Sequence, residues 1–220
     1  MDKCKNILIV GAGGFGREVA WLIEKINERK PTWNILGFID DCEENLGKAV
    51  GNYKVVGNCN DILQYPDAYV VCTIGAAMTR KKVIEKIKQI NPDIQFATLI
   101  DPDIRLCDRV QIGEGTVICT GTIITTDIKI GNHVIVNLAC TVGHDAVIDD
   151  FVTLYPTVNV SGNTILNSCV EMGTGSQIIQ GKNVGEYTIV GAGAVVIKDL
   201  PEKCVAVGMP ATPKKFFEVK

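Results

Sequence analysis

The sequence predicts a short α/β domain of Rossmann-like type followed by an all-β parallel β-helix. Three observations carry this. Near the N-terminus a strand, a Gly-rich turn and an amphipathic helix follow one another. From Ile100 onward, every sixth residue is aliphatic for seventeen positions. The chain also has 22 Gly but only 6% aromatic residues, which disfavours a large aromatic core and favours many tight corners.

The first domain is expected over residues 1–99. Asn6–Val10 is a short apolar strand, and Gly11-Ala-Gly-Gly-Phe-Gly16 follows it. From Arg17 to Asn27 the apolar residues Val19, Ala20, Leu22, Ile23 and Ile26 recur at helical spacing. A second strand, Trp33–Ile39, ends in Asp40-Asp41. A third, Ala68–Thr73, ends at Ile74-Gly75 and feeds a helix from about Met78 to Ile90. This alternation argues a small parallel sheet. Gly11, Gly13 and Gly16 match G-x-G-x-x-G between strand and helix, where backbone N–H groups and the helix dipole favour a phosphate. Asp40 and Asp41 lie where a ligand in the crevice beyond the strand ends would meet them, able to accept hydrogen bonds from a ribose or a base. Gly11, Gly13, Gly14, Asp40, Asp41 and Gly75 are therefore the candidate substrate-binding residues. With one βαβ half and a strand or two, the domain suits a mononucleotide or nucleotide-sugar better than NAD.

The second domain is expected over residues 100–198, with a C-terminal turn and tail over 199–220. Its aliphatic series runs Ile100, Leu106, Ile112, Ile118 and so on to Val190 and Val196 without a slip. Chance would give such a run roughly once in 10^5, because about half the residues are apolar. The residue after the aliphatic is often Gly (Gly113, Gly131, Gly143, Gly173, Gly185, Gly191), which is expected to give the corner its backbone freedom. Four residues after the aliphatic comes something small or β-branched, with Lys182 the exception. A period of six is neither 3.6 nor 2, so a short strand plus a tight corner explains it. Three such sides close a coil of about 18 residues, and coils stack about 4.8 Å apart.

Net charge is −3, so no broad attraction to nucleic acid or anionic membrane is expected. The nine Cys include no C-x-x-C and no metal-ligand spacing, so no metal is expected. An odd count inside apolar strands reads as reduced thiols in a cytoplasmic protein. The N-terminus runs straight into a strand, and no apolar stretch reaches membrane-spanning length.

The chain has two His, His133 and His144, both at corners off the inward column and so not expected as core filler. One coil after His144 comes Gly162, whose backbone should lie about 5 Å from that of His144. A general base beside an exposed N–H is what acyl transfer needs. Asp145 could orient the imidazole. For His133 the stacked neighbours are read as Gly115 and Cys169, with no comparable partner.

These residues together carry a resemblance: Gly11-Ala-Gly-Gly-Phe-Gly-Arg-Glu-Val-Ala20, Gly37-Phe-Ile-Asp-Asp41, the hexad array, Gly143-His144-Asp145 and Gly208-Met-Pro-Ala211. Over essentially the whole chain they resemble the sialic acid O-acetyltransferase and nucleotide-amino-sugar N-acetyltransferase family of left-handed β-helix acyltransferases. The resemblance implies a left-handed solenoid and a homotrimer with active sites between neighbouring solenoids. It implies acetyl-CoA as cosubstrate, with Thr153, Thr174, Gly191, Ala192, Gly208, Pro210 and Ala211 as cofactor-binding positions. It implies His144 as general base, Asp145 as its acidic partner and Gly162 as the N–H facing the acetyl carbonyl. Relatives often carry a second His where this chain has Thr153, and His-Pro where it has Asp101-Pro102. The leading expectation is N-acetylation of a nucleotide-linked amino sugar in surface-glycan biosynthesis. O-acetylation of sialic acid or another surface sugar, and a non-catalytic nucleotide-sensing scaffold, stay open at this point.

Overall fold

The computed structural model describes residues 4–219 as two compact units. The first comprises described residues 4–75 and 79–102, the second 76–78 and 103–219.

In the first unit, β1 (Lys5–Val10) leads through Gly11–Gly13 into α1 (Gly14–Arg29), then β2 (Trp33–Ile39). A hairpin, β3 (Ala49–Val50) and β4 (Tyr53–Gly57), precedes β5 (Tyr69–Cys72) and α2 (Ala77–Ile90), which belongs to this unit from Thr79 on. The sheet order is β3-β4-β2-β1-β5, parallel except for the hairpin. The sequence reading missed β3 and β4. Both are short, yet the turn between them, Gly51-Asn52 with Gly51 at φ 60°, is a hairpin signal. The core is the apolar face of α1 (Val19, Leu22, Ile23) against fully buried Ile7, Leu8, Ile9 and Phe38. Within the Gly-rich turn the glycines do different work. A Cβ on Gly16 would strike the Gly11 carbonyl, so that position packs α1 on β1. A Cβ on Gly13 would meet nothing, so that position faces open space.

Asp101, unusual for the resemblance, has a structural reason. Its side chain is 0% exposed, and its Oδ2 accepts from Lys25 Nζ of α1 at 2.7 Å. Removing one partner of a buried ion pair costs about 3 kcal/mol. Lys25→Met is therefore expected to lower stability by about that amount in urea denaturation; a loss below about 1 kcal/mol would mean the pair acts as a surface contact.

In the second unit, two-residue strands repeat from Gln111–Ile112 to Val195–Val196. Each pairs in parallel with the strand 18 residues away, as in Ile130↔Ile148 and Ile148↔Leu166. The ladders make three parallel sheets, closing a parallel β-helix. The aliphatic column is buried from Ile118 to Val196, and the small residues four places on (Thr116, Val134, Cys140, Ala146, Val158) are buried beside it. Leu106 lies outside this core: it is exposed and in no strand. Cys204–Val207 extends one ladder by pairing with Ile189–Val190 and receives Thr212–Phe216 antiparallel.

The corners depart from expectation. The left-handed residue is the third after the aliphatic, not the first: Asp127, His133, Ala139, Asp145, Phe151, Thr157, Asn163, Cys169 and Tyr187 all have φ between 54° and 62°. Only some of these are Asp or Asn, the types that tolerate this region best. The coil holds the others by donating each corner N–H to the coil before, as in Asp145 N to Thr126 O and Phe151 N to Asn132 O. The glycine directly after the aliphatic is needed for space. A Cβ on Gly143 or Gly173 would come within 2.6 Å of a backbone N on the next coil.

Candidate active site

The corner after Val142 carries the two residues expected to act together. Gly143 N donates to Val160 O and Asp145 N to Thr126 O, fixing the backbone on both sides of His144. The His144 side chain is 53% exposed. Its Nδ1 lies 2.7 Å from Asp145 Oδ2. A carboxylate only accepts, so Nδ1 is the donor, and in the neutral ring this leaves the lone pair on Nε2. The left-handed φ of Asp145, 60°, turns its carboxylate back onto the adjacent ring.

Gly162 lies directly under that ring. A Cβ there would be 2.6 Å from His144 Cε1 and 2.7 Å from Nε2. Its neighbours are committed to the ladder, Ser161 N to Ile178 O and Asn163 N to His144 O. Gly162 O accepts from Gly181 N, while Gly162 N is not among the ladder donors. A general base and an N–H without a ladder partner among the described residues thus share one corner, which the 18-residue spacing brings together.

His133 is a correction. It is 2% exposed and is core filler. Its ring stacks on Phe151 at 5.2 Å, and it fills the space a Cβ on Gly115 would take. Phe151, not Cys169, is the residue one coil on. The third place of the hexad is outward only where nothing large sits above it.

The expected cofactor positions divide. Thr174 and Ala192 are exposed on successive coils at one corner, and Gly193 N donates to Thr174 O. Gly191 has no room for a Cβ, since Val207 Cγ1 would be 2.7 Å away. Gly208 and Ala211 clip their turn onto Val195, with Pro210 exposed and in a cis peptide. Thr153 is 0% exposed in its strand, so its side chain is not offered to a ligand in this chain.

In the first unit, Gly11, Asp40 and Ile74 meet at the carboxyl ends of β1, β2 and β5. They line a cavity of ≈ 240 Å³ with Asp41 and Val83. Asp40 is oriented by two backbone donors, Ala12 N at 3.1 Å and Cys42 N at 2.9 Å. Asp41 accepts from Cys59 N at 2.9 Å and Lys86 Nζ at 2.8 Å. Partial burial pushes its pKa up, but these donors outweigh burial and hold it below the ordinary carboxylate value. Gly13 and Gly14 are exposed. Gly75 O accepts from buried Arg80, which also takes Ile74 O. Sequence reasoning missed the neighbouring cavity of ≈ 360 Å³, where Ala12 meets Arg17, Asn45 and Lys48. Arg17, one residue beyond the glycine motif, was the available signal; Lys48 and Asn45 arrive with the unforeseen hairpin.

Residues 6–87 match the PglD N-terminal domain family. The chain is 30% identical over 187 residues to the GDP-perosamine N-acetyltransferase of Escherichia coli O157:H7, covering 84% of this chain and 82% of that protein. It is similar to the crystal structure of PerB from Caulobacter crescentus in complex with CoA and GDP-perosamine. The TM-score is 0.83, with 27% identity and coverage of 96% of this chain and 97% of that one. It is also similar to the acetyltransferase domain of PglB from Neisseria gonorrhoeae FA1090 in complex with acetyl coenzyme A. There the TM-score is 0.86, with 29% identity and coverage of 96% and 100%.

Proposed function

This chain belongs to the nucleotide-amino-sugar N-acetyltransferases of the hexapeptide-repeat acyltransferase family, and on that premise we propose that it moves the acetyl group of acetyl-CoA onto the amino group of a nucleotide-linked sugar. The observation that carries this is the His144–Asp145 pair lying over Gly162.

The amine nitrogen attacks the thioester carbonyl, and His144 Nε2 takes its proton as the N–C bond forms. Negative charge gathers on the carbonyl oxygen, where the Gly162 N–H stabilises it. The C–S bond then breaks, and the CoA thiolate leaves and recovers a proton from the imidazolium. Asp145 holds the ring in the required tautomer and balances its charge. Buried thiols are poor nucleophiles: burial pushes Cys59 up to about 12, and Cys72 and Cys140 up to about 11. With the base and the oxyanion donor at one corner, the acetyl group passes directly from thioester to amine.

Acetyl-CoA lies along the later coils, past Thr174, Gly191, Ala192 and the Gly208–Ala211 turn. The nucleotide lies over Gly13 and Gly14, with Asp40 and Asp41 toward its ribose or base. Arg17 and Lys48 supply positive charge for its phosphates. The protein works as a homotrimer in the cytoplasm. The nine free thiols support a reducing compartment. Among the described residues no helix is long and apolar enough to cross a membrane.

A thiol-release assay across UDP-, GDP- and dTDP-amino-sugars tests the activity. Release is expected with at least one amino-sugar nucleotide, and none when the amine is replaced by a hydroxyl. Equal turnover of the hydroxyl analogue would make the enzyme an O-acetyltransferase. No release with any would overturn the proposal.

A further inference from the structure

We propose that Gly143 is a positioning residue whose missing side chain keeps the path to the Gly162 N–H open. This rests on the acetyl-transfer reading above and adds a residue to it.

A Cβ on Gly143 would stand 2.6 Å from Gly162 N, 3.0 Å from the Ser161 carbonyl carbon and 3.2 Å from Gly162 Cα. All three are backbone atoms, so no side chain can swing away to make room. Gly143 is not among the left-handed residues, so its conformation does not explain the glycine. Nor does every coil of this ladder need a glycine here. The ladder aligns Ile124, Val142, Val160, Ile178 and Val196. The residues that follow them are Thr125, Gly143, Ser161, Ile179 and Ile197. Four of the five coils carry a side chain at this place, and the one that does not lies beneath Gly162.

Elsewhere on the solenoid a side chain claims two of the amides at this place of the hexad. Glu114 N and Asn132 N occupy the same place in their hexads. They donate to Asn132 Oδ1 at 3.0 Å and Asp150 Oδ1 at 2.7 Å on the next coil. The residue one coil beyond Gly162 is Gln180, and among the described residues no bond like those of Glu114 N and Asn132 N joins the two. The corner thus leaves one N–H unclaimed beside the base and strips the side chain that would cover it. The group that fits is a carbonyl oxygen gaining negative charge, that of the acetyl thioester.

Gly143→Ala is expected to lower kcat about 10²-fold, the effect of losing one oxyanion donor. The KM for acetyl-CoA should stay within about threefold, and the pH profile should keep its shape because His144 is untouched. Gly131→Ala is the control. It sets a Cβ 2.7 Å from Asp150 N, the same kind of intrusion at a corner without the base, and should keep kcat within about threefold. Parental kcat in Gly143→Ala, or an equal loss in Gly131→Ala, would overturn the inference. A second measurement needs no variant. In a crystal of the parent with acetyl-CoA, the thioester oxygen should lie within about 3.2 Å of Gly162 N, reached across Gly143 Cα. An oxygen held elsewhere would overturn it. A parent that turns over no amino sugar would sink the activity proposal instead, which the thiol-release assay reads separately.

Discussion

His144→Asn lowers kcat/KM for acetyl-CoA and the amino-sugar nucleotide by about 10³-fold, while the KM for acetyl-CoA moves less than about threefold. The magnitude follows from what a positioned general base contributes, 10²–10⁴-fold. Asparagine keeps a planar polar group beside Asp145 and removes the proton acceptor. The side chain is half exposed, so the fold should not notice its loss. Steady-state kinetics checks the rate, and an unchanged melting temperature checks the fold. A variant within threefold of the parent would remove His144 from the chemistry.

Gly162→Ala should cost more than 10³-fold, because one methyl disturbs two parts of the site. Its Cβ would sit 2.6–2.7 Å from two atoms of the imidazole, so the ring must leave its place over the corner. That weakens the 2.7 Å bond to Asp145 and moves Nε2 away from the amine. The same methyl crowds the N–H that faces the oxyanion. Loss of an oxyanion donor alone is worth about 10²–10³-fold, and loss of the base adds to it. The pH–rate profile separates this variant from Gly143→Ala: here the limb set by the imidazole should shift as well as the amplitude. A profile identical to that of the parent, merely scaled down, would show that the ring had not moved.

These expectations come from a part of the molecule that was legible in the sequence. A period of six fixes a coil of 18 residues, and that alone sets Gly162 over His144. The wrong inferences share a cause. Periodicity gives the order of residues along a corner but not what stacks above each one. His133 was taken as outward, though Phe151 covers it. The resemblance implies Thr153 as a cofactor-binding position, and there too the coil packing decides: its side chain is fully buried. The corner glycines were assigned to backbone freedom, though the left-handed turn lies two residues later and their role is to clear the next coil. In the first unit the glycine motif and the paired aspartates were readable. The β3–β4 hairpin was not, because strands of two and five residues give too few positions to show alternation. Lys48 and the second cavity were lost with it. Asp101 was opaque for another reason: its partner Lys25 lies 76 residues earlier, a pairing only the fold reveals.

The central claim is that the acetyl group passes directly from acetyl-CoA to the amine at the His144–Gly162 corner. A single-turnover experiment with enzyme in excess tests it most directly. With acetyl-CoA alone, the protein mass should stay unchanged and no free thiol should appear. On adding the accepted amino-sugar nucleotide, CoA thiol and N-acetylated sugar should form together in equal amounts. Acetylated protein, or thiol released before the acceptor is added, would contradict the claim.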